Sequence, residues 1–245
     1  MSALVGGLDY RASPDWGQKL GYSVSGLSEV TLECINFLRE SAAPFSKEID
    51  EILFQGLIGP RGDAYGKGGK ISEDSAREYH SVQLANLKKA NVDLVTAITF
   101  NNIEKSVGVA KAASDFDVPI CISLSLDSSS KLNSGPSLVE AIQTIDQRTD
   151  HSVDFFMVNC VHPIEYEPAF DDKKWMQRIR GVRPNASAMD KISLCKLGHL
   201  EDGDPVELGQ QVGALMKRYP NMDVCGGCCG TWDRHLKEIA RNVCS

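Results

Sequence analysis

Several features are missing from this chain of 245 residues, and each absence excludes something. There is no run of basic residues, and the formal net charge of −7 is spread along the whole length. A nucleic acid or an anionic membrane surface would find no electrostatic footprint there. No apolar stretch approaches the ~20 residues of a bilayer-crossing helix; VDLVTAITF (92–100) and FFMVNCV (155–161) are among the longest. The opening MSALVGGLDYRASPDW lacks the basic start, long apolar core and small-residue cleavage site of a signal peptide, so the expected compartment is the cytoplasm. Internal repeats, low-complexity tracts and long linkers are also missing. The most loop-like stretch, DSSSKLNSGPS (127–137), needs no more than a strand-to-helix connection to explain it.

What is present is a globular composition, with 42% hydrophobic and 24% charged residues. The length suits one sizeable core, as a single large α/β unit or two small domains. Eight cysteines are too sparse for a disulfide scaffold, and clustered thiols in a reducing compartment more often bind metal or do chemistry.

Short apolar runs rich in branched residues alternate with longer amphipathic segments. Strands are expected at 52–60, 92–100, 118–126, 154–161, 178–187 and 222–229, and helices at 72–90, 103–116 and 137–149, with Ser72 as a helix cap. A repeated β-then-α order implies parallel strands, hence a (β/α) barrel or a doubly wound sheet. Several strands end in small, polar or cysteine residues: Gly59-Pro60, Asn159-Cys160, Pro184-Asn185 and the glycine-rich 226–231. In a (β/α) barrel such ends converge on the face that carries the active site.

The segment VCGGCCGTW (224–232) is the densest chemical signal. Adjacent residues of a straight strand point to opposite faces, so Cys228 and Cys229 share one ion only if the backbone turns between them. Gly226, Gly227 and Gly230 supply the freedom for that turn. With Cys160 they offer three thiolates, and three thiolates with a fourth position open is the build of a catalytic zinc site. A C-x-x-C redox pair, Cys225 with Cys228, ranks lower because that motif usually opens a helix. Cys34, Cys121, Cys195 and Cys244 read as ordinary small core residues.

VNCVHP followed, 68 residues after its cysteine, by GGCCGT resembles the homocysteine S-methyltransferases. GLIGPRGDAY and GVRPNAS resemble that family's glycine-proline loop and its Pro-Asn strand end, and the likeness runs from about residue 8 to residue 243. The resemblance implies a (β/α)8 barrel of the TIM type, formed by residues 1–245 as a single homocysteine-binding domain. It implies catalytic zinc on Cys160, Cys228 and Cys229, and methyl transfer to a homocysteine thiol that zinc activates, as in methionine biosynthesis.

Two departures from the family stand out. The first one or two strands, with their Asp-Gly-Gly motif, have no counterpart, and LVGGLDYRAS aligns with the end of the second; an open barrel edge makes a homo-oligomer plausible. Ile98 occupies the place of the glutamate that would pair with the homocysteine ammonium. Homocysteine or a related thiol is therefore the expected acceptor. With no cobalamin module, folate module or nucleotide-binding glycine loop, a small free donor such as S-methylmethionine or S-adenosylmethionine is expected. Asn159 and Asn185 are candidate substrate-binding residues, with a turn role as the alternative. His162 is expected to shape the rim rather than ligate, Asp63 and Tyr65 to lie in a solvated loop, and Trp175 and Trp232 to pack. The rival to an enzyme is a zinc-binding, non-catalytic or truncated family member acting as a thiol-binding or regulatory module.

Overall fold

The computed structural model describes residues 2–63, 71–189 and 191–244, without the side chains of 191, 192 and 195. Tyr65 and the Cys195 thiol lie outside the described residues. The backbone divides into two compact units, Met1–Ile122 with Ile145–Asp154, and Ser123–Thr144 with Phe155–Ser245.

In the first unit β1 (Ser2–Val5), β2 (Glu51–Ile58) and β3 (Leu94–Phe100) run parallel in chain order, with Leu4 opposite Leu53 and Leu57 opposite Thr96. β4 (Ile120–Leu124) follows β3, beginning in this unit and ending in the other. After Leu94 every residue of β3 is buried, as befits a parallel strand covered on both faces. The helices are α1 (Pro14–Lys19), α2 (Val24–Ala42), α3 (Glu73–Lys89) and α4 (Ile103–Asp115). α2 buries Leu27, Thr31, Ile35, Leu38 and Ala42, one stripe at helical spacing. α3 starts as the sequence predicts: the Ser72 hydroxyl accepts from Ser75 N–H at 3.2 Å, with Glu73 and Asp74 in the first turn and Lys88 and Lys89 in the last. Asn102 caps α4 in the same way, accepting from Lys105 N–H at 3.0 Å.

α3 and α4 approach closely because Gly108 has no side chain. A Cβ there would lie 2.5 Å from Ala76 Cβ and 2.5 Å from Glu73 O. Beside this contact the Glu73 carboxylate holds Lys111 at 2.6 Å and also Arg148, at the end of α5 (Leu138–Arg148). Beyond the end of β1, Asp9 is buried; its Oδ2 accepts from Leu57 N–H at 2.9 Å, while Oδ1 has no partner among the described residues. Gln83 pins the same residue through its backbone, Nε2 donating to Asp9 O at 2.7 Å.

In the second unit β5 (Phe155–Asn159), β6 (Ile179–Arg183) and β7 (Val224–Cys225) are parallel, with Val158 opposite Val182 and Val182 opposite Cys225. The strand predicted at 178–187 stops at Arg183, because Pro184 has no N–H for the ladder. The one predicted at 222–229 shrinks to two residues, since the glycine-rich loop takes over at Gly226. Here the helices are α6 (Pro163–Tyr166), α7 (Lys191–Leu197), α8 (Pro205–Arg218) and α9 (Asp233–Val243). The sequence reading marks no helix at α8 or α9, although Asp204 caps α8 by accepting from Val206 N–H at 2.8 Å with Pro205 in its first turn.

The α/β class and parallel, chain-ordered strands are as expected. The expected eight-stranded (β/α)8 ring is met only in part: the described residues hold seven strands, and β1 overlaps only at Leu4 and Val5 the segment read as the end of the family's second strand.

Two stability predictions arise from the first unit. Gly108→Ala should lower stability by about 1–3 kcal/mol through overpacking, despite a helix-propensity gain of about 1 kcal/mol, and a lower urea midpoint at unchanged slope would show it. Burial pushes Asp9 up to about 6. From the unfolded value of about 3.9 up to that point the native state keeps a proton the unfolded chain has lost, so stability falls as pH rises through this window. Asp9→Asn should flatten that slope and raise stability above the window by at most about 3 kcal/mol, read from urea melts across pH.

Candidate metal centre

β5 ends at Asn159, and the chain leaves it through Cys160 with φ at 60°, in the left-handed region. For a residue with a Cβ this costs about 1–2 kcal/mol, and it persists only where the surroundings fix it. The Cys160 N–H is tied to Arg183 O at 3.1 Å. From β7 the glycine-rich loop continues along the end of β6, with Gly226 N–H donating to Val182 O at 3.2 Å and Cys228 N–H to Pro184 O at 2.8 Å. A turn then closes from Thr231 N–H to Cys228 O at 3.2 Å. Gly230 sits in that turn with φ at 79°, and a Cβ on it would collide with Glu201 O. The turn is what lets neighbouring cysteines face one point.

The result is a cluster of three sulfurs. Cys160 Sγ lies 3.2 Å from Cys228 Sγ and 3.5 Å from Cys229 Sγ, and all three fall within 4.8 Å of one another. An ion bound tetrahedrally at about 2.3 Å from each sulfur sets the sulfurs about 3.8 Å apart, so the spacing fits. The donors are soft thiolates, the set that zinc accepts. Among the described residues these three form the converging group of His, Cys, Asp or Glu side chains, as the sequence reading expected.

Packing three thiols together also divides their acidities. Cys228 is held below the usual thiol range by hydrogen bonds from Cys160 and Cys229, helped by the Arg183 guanidinium and Asn159 against the cost of burial. Cys160 is pushed up by the same hydrogen bonds, then by its own burial. The same contact therefore moves Cys160 and Cys228 in opposite directions.

Asn159 is fully buried, and its amide connects two neighbours. Ser123 Oγ donates to Asn159 Oδ1 at 2.7 Å, which turns Nδ2 toward Cys228 Sγ at 3.8 Å. Asn185 N–H donates to Val161 O at 3.2 Å and the next residue, Ala186, donates to Cys229 O at 3.0 Å, so Asn185 sits beside the cluster. Its buried Oδ1 has no partner among the described residues. His162 is outside the sulfur group: its backbone N–H donates to Glu165 at 3.1 Å, and burial holds its ring below the usual imidazole range.

Other expectations divide. Cys225 is not in the sulfur group, and burial pushes its thiol up, so Cys228 converges with Cys160 rather than with its C-x-x-C neighbour. Cys121 is buried as expected, Cys34 is half-buried and Cys244 is exposed. Trp175 packs inside, but Trp232 is 56% exposed because it occupies the N-cap of α9 instead of a packed face. Asp63 is exposed, as a solvated loop residue should be. Ile98 is buried in β3. Sequence reasoning missed Ser123 and Arg183. The available signal for Arg183 was its place one residue before the Pro184-Asn185 strand end; Ser123 had none, since its partner is 36 residues away.

Parallel strands whose ends bring three thiols together define an α/β protein with a candidate site for a soft metal ion. The sequence profile of the homocysteine S-methyltransferase family matches residues 8–243. The chain belongs to that family, and it is a methyltransferase. Among solved structures it is similar to the homocysteine methyltransferase MmuM of Escherichia coli. To the metallated form the identity is 17% and the TM-score 0.74, covering 98% of this chain and 78% of that one. For the oxidized form the values are 16% and 0.77, over 97% and 78%. At these identities the likeness concerns the fold. No curated protein sequence matches the chain.

A direct partner of a ligand typically changes metal affinity by about 10–100-fold, and Ser123 acts one step further out through Asn159, so Ser123→Ala should weaken metal binding by up to about tenfold with the fold intact. Chelator competition would measure it, and unchanged affinity would mean that Ser123 does not orient Asn159.

Proposed function

We propose that this protein is a zinc-dependent S-methyltransferase that moves a methyl group from a small donor to the thiol of homocysteine or a related compound. The observation that carries the reading is the convergence of Cys160, Cys228 and Cys229 within 4.8 Å in a chain of this family. The metallated state of the similar Escherichia coli enzyme supports a metal in this one. We read residues 1–245 as one cytoplasmic domain, because two of the three divisions between the compact units fall inside β4 and α5 rather than in a linker.

The three cysteines would hold the ion, and their chemistry leaves a fourth position for the incoming thiol. The chemistry such an ion supplies is to keep that thiol as thiolate at neutral pH. Asn159, oriented by Ser123, holds Cys228 in place and takes some of its charge. Asn185 would accept a hydrogen bond from the acceptor, a role supported by its buried, unpartnered Oδ1. In the transfer the acceptor sulfur forms the new S–CH3 bond, the donor's C–S⁺ bond breaks with its electron pair going to the donor sulfur, and the thiol proton passes to solvent. The protein's part is alignment and exclusion of water.

A second reading, a thiol-binding module without turnover, is favoured by one observation: Ile98 offers buried apolar surface where the family resemblance calls for a carboxylate. Zinc analysis of the reduced protein together with a methylation assay separates the two. About one zinc per chain, lost in Cys228→Ser, with methionine formed from homocysteine and S-methylmethionine or S-adenosylmethionine, is the expected result. Zinc with no methyl transfer to any thiol would leave the binding module standing.

A further inference from the structure

Arg183 is the last residue of β6, and the register sets it opposite Asn159 of β5. Residues in register on parallel strands project to one face, so Arg183 shares the face from which the Asn159 amide reaches Cys228. Its stem runs along the glycine-rich loop: a Cβ on Gly226 would lie 3.6 Å from Arg183 Cγ and 3.8 Å from its Nε. Nε itself donates to Gly227 O at 3.2 Å. A neutral carbonyl thus fixes the direction of the half-buried guanidinium, and the charge it carries is felt at the Cys228 sulfur.

Arg183 has no acid among the described residues, which it shares with Arg11, Arg39 and Arg61; it differs from those three in lying against the loop that carries Cys228. Arg77, Arg148, Arg180, Arg234 and Arg241 each pair with a carboxylate. Arg183 has none among the described residues, and its terminal nitrogens have no hydrogen-bond acceptor there. A guanidinium fork anchored through Nε presents the edge that takes a carboxylate through two parallel hydrogen bonds. Balancing the thiolates needs only a positive charge, which a lysine would supply equally well, whereas the anchored fork adds a direction.

We propose that Arg183 selects the acceptor by its carboxylate: the thiol that enters beside Cys160, Cys228 and Cys229 is a short-chain thiol acid, recognised at one end by the metal centre and at the other by this guanidinium. The inference rests on the methyltransferase reading for its reaction, but not for its binding preference. Recognition through the carboxylate makes the amine of homocysteine dispensable and its carboxylate essential.

The test uses the metal-loaded protein and calorimetric titration, with the visible spectrum of the cobalt-substituted form as a second readout. The probes are homocysteine, its analogue without the amine and its analogue without the carboxylate. The amine-free analogue should bind within about threefold of homocysteine and the carboxylate-free one at least about tenfold more weakly, the range expected for a lost charged hydrogen bond. Arg183→Gln should erase that difference at unchanged metal content, and Arg183→Lys should restore part of it. Equal binding of the two analogues by the unaltered protein overturns the proposal, as does an Arg183→Gln variant that weakens all three thiols alike. Neither readout needs turnover, so absence of methyl transfer would count against the methyltransferase reading alone.

Discussion

Three sulfurs held within 4.8 Å of one another are the constraint around which the second unit is arranged. Thiols at that distance do not gather unaided, because ionising one raises the cost of ionising the next. The cluster is reached by two departures from regular backbone. Cys160 takes a left-handed conformation at the end of β5, and the glycine-rich loop turns so that Cys228 and Cys229 face the same point. Both departures are tied to the end of β6, through the carbonyls of Val182, Arg183 and Pro184. The rigid part is the strand end, and the reactive part is hung on it.

The polar groups around the cluster have separable tasks. Ser123 orients Asn159, Asn159 orients Cys228, and the Arg183 charge favours thiolate at that same sulfur. The amide contact on sulfur is long and therefore weak, but a buried group with fixed neighbours loses little entropy in making it. Described polar residues of the first unit serve its own structure. Glu73 joins Lys111 and Arg148, and Asp9 closes the ladder beyond β1 at the cost of a buried carboxyl.

Much of this was legible in the residues. Alternating runs gave the α/β class and parallel strands, Ser72 marked the start of α3, and glycines beside paired cysteines pointed to a shared ion. Strand ends were less legible. The pattern of apolar residues continues past Arg183 and past Cys225, yet Pro184 has no N–H to offer and Gly226 opens a turn. Trp232 was misjudged because an aromatic residue reads as packing, while its exposure follows from standing at a helix N-cap.

The sequence by itself determined which atoms can act: three thiols, two of them adjacent in a loop with enough glycine to turn, and one at the end of an earlier strand. It also determined the fold class, since periodicity is a local property of the chain. Only the tertiary structure decided which groups attend those thiols. Ser123, Asn159, Arg183 and Cys228 come from four places in the chain, and their contacts depend on the register of neighbouring strands, which spacing does not encode. It also decided that Cys228 would meet Cys160 rather than Cys225, because the chain from Cys225 to Cys228 continues along the end of β6 and residues three apart on extended backbone point to opposite faces.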